Sequence, residues 1–97
     1  SAYDKRKDLF MKKTEGYRIR KLEDEYVVLP FGKRAEEVNE VISLSETAGF
    51  MYLHEEEADS AEELAELVSK AYEVEKSVVY EDVVSVVRTL REKGLLL

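Results

Sequence analysis

The single histidine of this 97-residue chain is the first residue to test for chemistry, because imidazole serves both as a general base and as a metal ligand. His54 is followed directly by Glu55, Glu56 and Glu57. Neighbouring residues on a helix point in different directions, so these side chains do not converge on one ion, and zinc requires about four convergent ligands. The pattern is typical of a solvated helix end, and we predict neither a metal nor another cofactor.

Serine is the remaining candidate nucleophile, because the chain has no cysteine. A catalytic serine needs a neighbouring base that is itself held by an orienting group, and one histidine makes that arrangement improbable. Helix capping and surface positions account for most of the serines. No pair of carboxylates lies in an apolar stretch that would raise a pKa toward neutrality. The sequence therefore predicts a protein that is not an enzyme.

A lone glycine beside two cations, in the stretch FGKR at residues 31–34, is the nearest approach to a phosphate-binding loop. Such loops need several glycines that open a helix. Here Pro30 and four charged residues predict an ordinary surface loop over residues 30–37, followed by a strand.

The composition describes one small acidic domain. Hydrophobic residues make up 44% of the chain, which is enough for a single core. The net charge is −7, of which residues 1–13 contribute +3 and residues 14–97 contribute −10. A body this acidic repels phosphate backbones, so we expect no nucleic-acid partner. No apolar run approaches the roughly 20 residues of a membrane span, so we expect no membrane association, and the lack of cysteine is compatible with a cytoplasmic location.

Three strands are predicted in the first half of the chain. Residues 1–13 are polar and lack periodicity. They are therefore predicted to be a disordered tail, or residues added for expression of the protein, ahead of a domain over residues 14–97. Alternating side chains predict strands over residues 17–22, 26–29 and 38–44.

Three helices follow, because serines that can cap them precede apolar residues at helical spacing. Ser45, Ser60 and Ser77 are the predicted N-caps, and Gly94 supplies the left-handed residue after the last helix. Three strands cannot bury both faces of a sheet alone, so the helices must cover one face. The order of elements therefore predicts a compact α+β domain.

The last predicted helix, residues 77–93, carries valine doublets separated by polar residues, which fits a wide apolar stripe better than a strand. Its predicted core face consists of Val79, Val83, Val86 and Leu90. A flanking stripe consists of Tyr80, Val84, Val87 and Arg91.

Residues 38–53, VNEVISLSETAGFMYL, resemble the PqqD-like family, which typically shows a strand, a Leu-Asn-Glu-Thr-type helix start and an aromatic-rich helix. The later stretches SAEEL at 60–64, AYEV at 71–74 and LREKGLL at 90–96 also fit the family's pattern. Two residues depart from it: Ser45 stands where asparagine is usual, and Tyr52 stands where tryptophan is common.

The resemblance implies a winged-helix-like domain, with a three-stranded antiparallel sheet followed by three helices. It also implies a recognition element that binds the leader segment of a ribosomally made precursor peptide and delivers it to a modifying enzyme, often a radical SAM protein, as in pyrroloquinoline quinone biosynthesis. The leader adds as a strand beside the third strand, whose edge would offer unpaired N–H and C=O groups, and packs against the last helix. The implied peptide-binding residues are Val38, Asn39, Glu40, Val41, Ile42, Ser43 and Leu44 in the strand, with Tyr80, Val84, Val87, Arg88 and Arg91 in the helix.

Three alternatives stay open from the residues alone. Val84 and Val87 are also explained as core residues, with the two arginines solvated. A winged-helix nucleic-acid binder would have a similar order of elements, although the helix over residues 60–72 is acidic rather than basic. A homodimer formed through the same strand edge would use the same unpaired backbone groups.

Overall fold

The computed structural model describes residues 12–97 of the chain. Its elements follow in the order β1 (Tyr17–Leu22), β2 (Glu25–Pro30), α1 (Lys33–Glu37), β3 (Ile42–Ser45), α2 (Glu46–His54), a 3₁₀ turn (Glu55–Glu57), α3 (Ala61–Tyr72) and α4 (Lys76–Glu92). The three strands form one antiparallel sheet in the order β1-β2-β3. The predicted α+β architecture, a three-stranded antiparallel sheet followed by helices, is confirmed.

The sheet is half-buried because its side chains alternate between two faces. Tyr26 and Val28 on β2 and Leu44 on β3 point to the inner face and are buried with side chains of the helices. On β1, Arg18 and Arg20 point to the other face and are exposed. We call these the inner and outer faces of the sheet.

The third strand is shorter than predicted, because it covers Ile42–Ser45 instead of residues 38–44. Ile42 lies opposite Val28. The next residue of β2 whose backbone groups face β3 is Pro30, two positions later. Proline has no N–H to donate, so the ladder between β2 and β3 stops there. Residues 38–41 therefore include two β-branched valines but have no bonded partner strand.

A short helix, α1 at Lys33–Glu37, replaces part of the surface loop predicted over residues 30–37. The helix follows Gly32, whose φ of 60° places it in the left-handed region. It ends where Val38 donates its N–H to the carbonyl of Arg34, at 2.8 Å. The segment has no apolar stripe, so periodicity alone does not reveal it.

Two of the three predicted N-caps are confirmed. The Ser45 hydroxyl accepts a hydrogen bond from the Ala48 N–H at 3.2 Å, and the Ser60 hydroxyl accepts one from the Glu63 N–H at 3.2 Å. Glu63 reaches back to the N–H of Asp59, one residue before the cap. These bonds satisfy amides at the starts of α2 and α3 that have no intrahelical partner.

The prediction that Ser77 caps the last helix is wrong, because α4 begins at Lys76 and its N-cap is Glu75. The ammonium group of Lys76 pairs with Glu62 of α3 at 3.2 Å, which ties the first turn of α4 to α3. The other end follows the prediction: Gly94 has φ 79°, and the next N–H, of Leu95, bonds back to the carbonyl of Leu90 at 2.9 Å.

A close contact between α2 and β2 sets the distance of the helices from the sheet. Gly49 is buried against the ring of Tyr26, and a Cβ at this position would lie 2.0 Å from Cδ2 of Tyr26. The absence of a side chain at Gly49 therefore allows the helix to rest directly on the aromatic ring.

The two ends of the described chain pair with each other. Thr14 donates its N–H to Leu95 at 3.0 Å, and Leu97 donates its N–H to Lys12 at 2.8 Å, on either side of an antiparallel bridge between Lys13 and Leu96. Residues 12 and 13, which fall in the predicted tail, are therefore paired with the last residues of the chain, and the rest of that tail, residues 1–11, lies outside the described residues.

Candidate functional site

The hydrogen bonds of β2 determine which groups of β3 remain available. In an antiparallel pair, hydrogen-bonded pairs alternate with non-bonded pairs along the strands. Phe31 donates its N–H to the carbonyl of Gly16 at 2.9 Å, in register with the ladder between β1 and β2. Leu29, two residues earlier, therefore also points its backbone groups toward β1, and Val28, the residue before Leu29, points its own toward β3.

Ile42 lies opposite Val28 and so directs its N–H and C=O toward β2. The residues on either side of it, Val41 and Ser43, direct theirs away from the sheet. β3 is the last strand in the order β1-β2-β3. We call the outward-pointing backbone groups of Val41 and Ser43 the β3 edge.

The structure divides the seven predicted strand residues into different environments. Ile42 is partly buried, and Leu44 is buried on the inner face of the sheet. Val38 is partly buried, with its N–H bonded to α1. The other four, all exposed, are Asn39, Glu40, Val41 and Ser43. Because Leu44 packs in the core, its side chain fixes the strand from beneath.

The predicted helix residues lie along one flank of α4, which we define as Tyr80, Val84, Arg88 and Arg91. Tyr80 and Val84 are partly exposed, and Arg88 is exposed. Val87 is 2% exposed and belongs to the core beside Val83, so its side chain supports the α4 flank from within. For Val87 the core interpretation is the one the structure favours, because the apolar stripe of α4 is wide enough to include it.

Arg91 already has a structural role at the end of α4. Its Nε donates to the carbonyl oxygen of Leu97 at 3.1 Å, which holds the C-terminal residues against the helix. Arg88, one helical turn earlier on the exposed surface, is the cation of this flank that extends into solvent.

The stretch from His54 to Glu57 does not form a metal site. His54 Nδ1 forms a hydrogen-bonded pair with Glu57, and its ring stacks on Phe50 with centroids 4.3 Å apart. Among residues 12–97, no group of three or more histidine, aspartate or glutamate side chains is placed to hold a metal ion. No helix within the same range is long and apolar enough to cross a membrane.

Glu55 departs from the predicted solvated helix end, because it is only 5% exposed. Burial raises the pKa of its carboxyl group, an effect that the nearby Lys13 partly opposes and Glu56 reinforces. Glu55 follows Tyr52 by three residues and Met51 by four, so helical spacing places it on their buried side at the point where the α-helix gives way to the 3₁₀ turn.

Tyr52, at the position where the family commonly has tryptophan, is buried one turn before Glu55. Burial and the nearby Glu55 raise the pKa of Tyr52 to about 12, so its hydroxyl stays protonated. The ammonium group of Lys13 lies 4.7 Å from the centre of its ring. Tyr52 and Glu55 line an open pocket of about 590 Å³ at the end of the sheet.

Two solved structures of proteins in complex with leader peptides have the same fold. "TbiB1 in Complex with the TbiA(beta) Leader Peptide" has 23% sequence identity and a TM-score of 0.68, with 89% of this chain and 94% of that chain covered. "Lasso peptide synthetase B1 complexed with the leader peptide" has 22% identity and a TM-score of 0.68, with 90% and 96% covered. No curated protein sequence matches this chain.

The family comparison is independent of these structures. The model described as coenzyme PQQ synthesis protein D (PqqD) matches residues 25–96, which include β2, β3 and the four α-helices that the structure describes in residues 12–97. This range exceeds half of the chain and contains both the β3 edge and the α4 flank. The chain is therefore a member of the PqqD family.

Proposed function

We propose that this protein binds the leader segment of a ribosomally made precursor peptide and presents it to a modifying enzyme, of the radical SAM type. The leader adds as a fourth strand along the β3 edge, about 4.8 Å from β3, and its inward side chains pack against the α4 flank. The protein itself contributes binding rather than catalysis. The role belongs in the cytoplasm, where ribosomes release the precursor.

The observation that carries this proposal is the direction of the backbone groups at Val41 and Ser43. Both point away from β2, and Val41 is 55% exposed. An incoming strand can bond to these groups without displacing any hydrogen bond among residues 12–97. Membership of the PqqD family and the leader peptides named in the two similar structures support the same occupant.

A nucleic-acid partner is less well supported. The helix α3, which would correspond to a recognition helix, carries Glu62 and Glu66, and both carboxylates pair with Lys76 of α4 at 3.2 and 3.7 Å. This surface offers no excess of cations to phosphates.

An amide-shift titration with the leader of the precursor encoded beside this gene tests the proposal. We expect micromolar or tighter affinity, the scale of modest interfaces, and shifts at Val41, Ser43 and Val84. A scrambled leader of the same composition is the control. If the resonances of β3 and the α4 flank stay in place at saturating leader, or if the scrambled peptide binds equally well, the proposal fails. Sedimentation without peptide tests whether two copies pair through the β3 edge instead.

A further inference from the structure

The outer face of the sheet has apolar side chains that the fold does not bury. Val27 and Leu29 of β2 are partly exposed there, and Val41 beside them is 55% exposed. The helices pack on the opposite face, where Tyr26 and Val28 are buried. A strip of apolar surface therefore runs across the sheet from β2 to the β3 edge, opposite the core.

Two arginines of β1 border this strip. Arg20 is paired with Val27 and Arg18 with Leu29, so each arginine lies next to an apolar residue of β2 on the outer face. Arg18 also lies over the ring of Phe31, at 4.4 Å from its centre. Among residues 12–97, neither arginine has a carboxylate within salt-bridge distance.

The sign of this charge is unusual for the molecule. The chain as a whole carries −7, whereas Arg18 and Arg20 make the centre of the outer face positive, with Glu25 at the turn end of β2. Basic groups around apolar residues are complementary to a protein surface with carboxylates around an apolar centre. A second copy of the chain is a poor match in a face-to-face arrangement, because it would place arginines against arginines. Nucleic acid is a poor match because the rest of the molecule repels it.

A leader bound at the β3 edge would contribute some of its side chains to the outer face. A strand added at the β3 edge would extend the sheet, and alternate leader side chains would emerge on the outer face next to Val41 and Ser43. A partner resting on the outer face would then contact the domain and the bound leader together. This step rests on the function proposed above.

We propose that the outer face, defined by Arg18, Arg20, Val27, Leu29 and Val41, is the docking surface for an acidic patch of the modifying enzyme. The arginines supply charge recognition, and the apolar strip supplies the buried centre of the interface. The enzyme would bind the domain carrying the leader more tightly than the empty domain, because the leader adds a further strand to the surface.

The test measures two affinities in the full-length chain: that of the leader for the domain, and that of the purified enzyme encoded beside the gene for the leader-loaded domain. The variant Arg18→Glu/Arg20→Glu reverses the charge of the outer face. Lys70→Glu/Lys93→Glu is the matched control, because it makes the same change of net charge at exposed positions of α3 and the end of α4. Circular dichroism checks that both variants fold.

We expect the outer-face variant to weaken enzyme binding about tenfold or more, while the control changes it by less than about twofold. The affinity for the leader should be equal in all three proteins. The docking proposal is overturned if the outer-face variant and the control lose enzyme affinity equally, if neither loses any, or if leader affinity falls with enzyme affinity. Tighter binding of the wild-type domain to a mixed-sequence DNA duplex than to the enzyme would also overturn it. Failure of the wild-type domain to bind leader is a separate result, because it removes the proposed function itself.

Discussion

The β3 edge and the α4 flank, the two sides between which we place the leader, differ in how far the fold already uses them. At the β3 edge, the backbone groups of Val41 and Ser43 point away from the sheet. On the helix side, Val87 is packed in the core and Arg91 is bonded to Leu97. The strand offers groups that have no structural task, whereas the helix shares its residues with the core. Register and affinity should therefore come mainly from β3, and selectivity from the few free side chains of α4.

The largest expected effect concerns the contact between Gly49 and Tyr26, which lies beneath β3 in the core. Tyr26, opposite Leu44 of β3, rests on Gly49, and Gly49→Ala would place a methyl group 2.0 Å from its ring. We expect the free energy of unfolding to fall by about 2 kcal/mol, measured by urea denaturation, because the helix or the ring must move. Thr47→Ala, at an exposed site on the same helix, is the control. An unconstrained Gly→Ala change stabilises a helix, so an increase in stability would contradict the close approach.

The next effect isolates the backbone of the β3 edge. Val41→Pro removes an outward N–H while leaving the ladder between β2 and β3 intact, and we expect leader affinity to fall about tenfold because one backbone hydrogen bond is lost. Val41→Ala keeps the N–H and removes most of the side chain. Isothermal titration of the two variants separates the contributions. Equal losses would assign the binding to the side chain of Val41 rather than to its amide.

The α4 flank should respond differently at two neighbouring positions. Val84→Ala should lower leader affinity by about threefold with little change in stability, because Val84 is partly exposed. Val87→Ala should lower stability by about 1–2 kcal/mol and leave the leader affinity of the folded protein nearly unchanged, because it creates a cavity in the core. Thermal unfolding and titration of both variants check this. The reverse pattern would move the peptide contact from Val84 to Val87.

The smallest expected effect is a dependence of stability on pH that arises at Glu55 and leaves the β3 edge and the α4 flank unchanged. Burial raises the pKa of Glu55, so the folded protein binds a proton there more tightly than the unfolded chain. The resulting stability is present below the ordinary carboxyl pKa of 4.5 and is lost as pH rises through the raised value. Glu55→Gln should therefore stabilise the protein at pH 7 by roughly 0.5 kcal/mol, with no change in leader affinity. Glu56→Gln, at the exposed neighbour, should not. Melting curves at pH 4 and 7 distinguish the two.

Local signals in the sequence were sufficient for several helix ends. Ser45 and Ser60 cap through bonds to residues three positions ahead, and Gly94 needs only its own backbone freedom, so neither depends on distant parts of the chain. The start of β3 was not predictable in this way. Val38 and Val41 have side chains typical of strands, but the ladder ends at Pro30, which lies on the partner strand and earlier in the chain.

The candidate site shows the same limit. The edge position of β3 follows from the number of strands and their order, and the outward direction of Val41 follows from strand alternation. Helical spacing puts Val87 beside Val83, and Glu55 beside Met51, but whether a neighbouring element covers those positions depends on how the helices pack against one another. The role of Arg91 required knowledge that the chain's end returns to it.

The pairing of residues 12–14 with the last residues of the chain has a consequence for engineering. Lys12 and Leu97 are joined by a hydrogen bond of 2.8 Å, so the domain's first and last described residues occupy one point on its surface. A short linker between them would create a circular permutant, with new termini in the turn at Glu23 and Asp24, and the sheet and helices would keep their arrangement. By the same geometry the domain could be inserted into a surface loop of a larger protein, because its two ends would meet the host chain at adjacent positions.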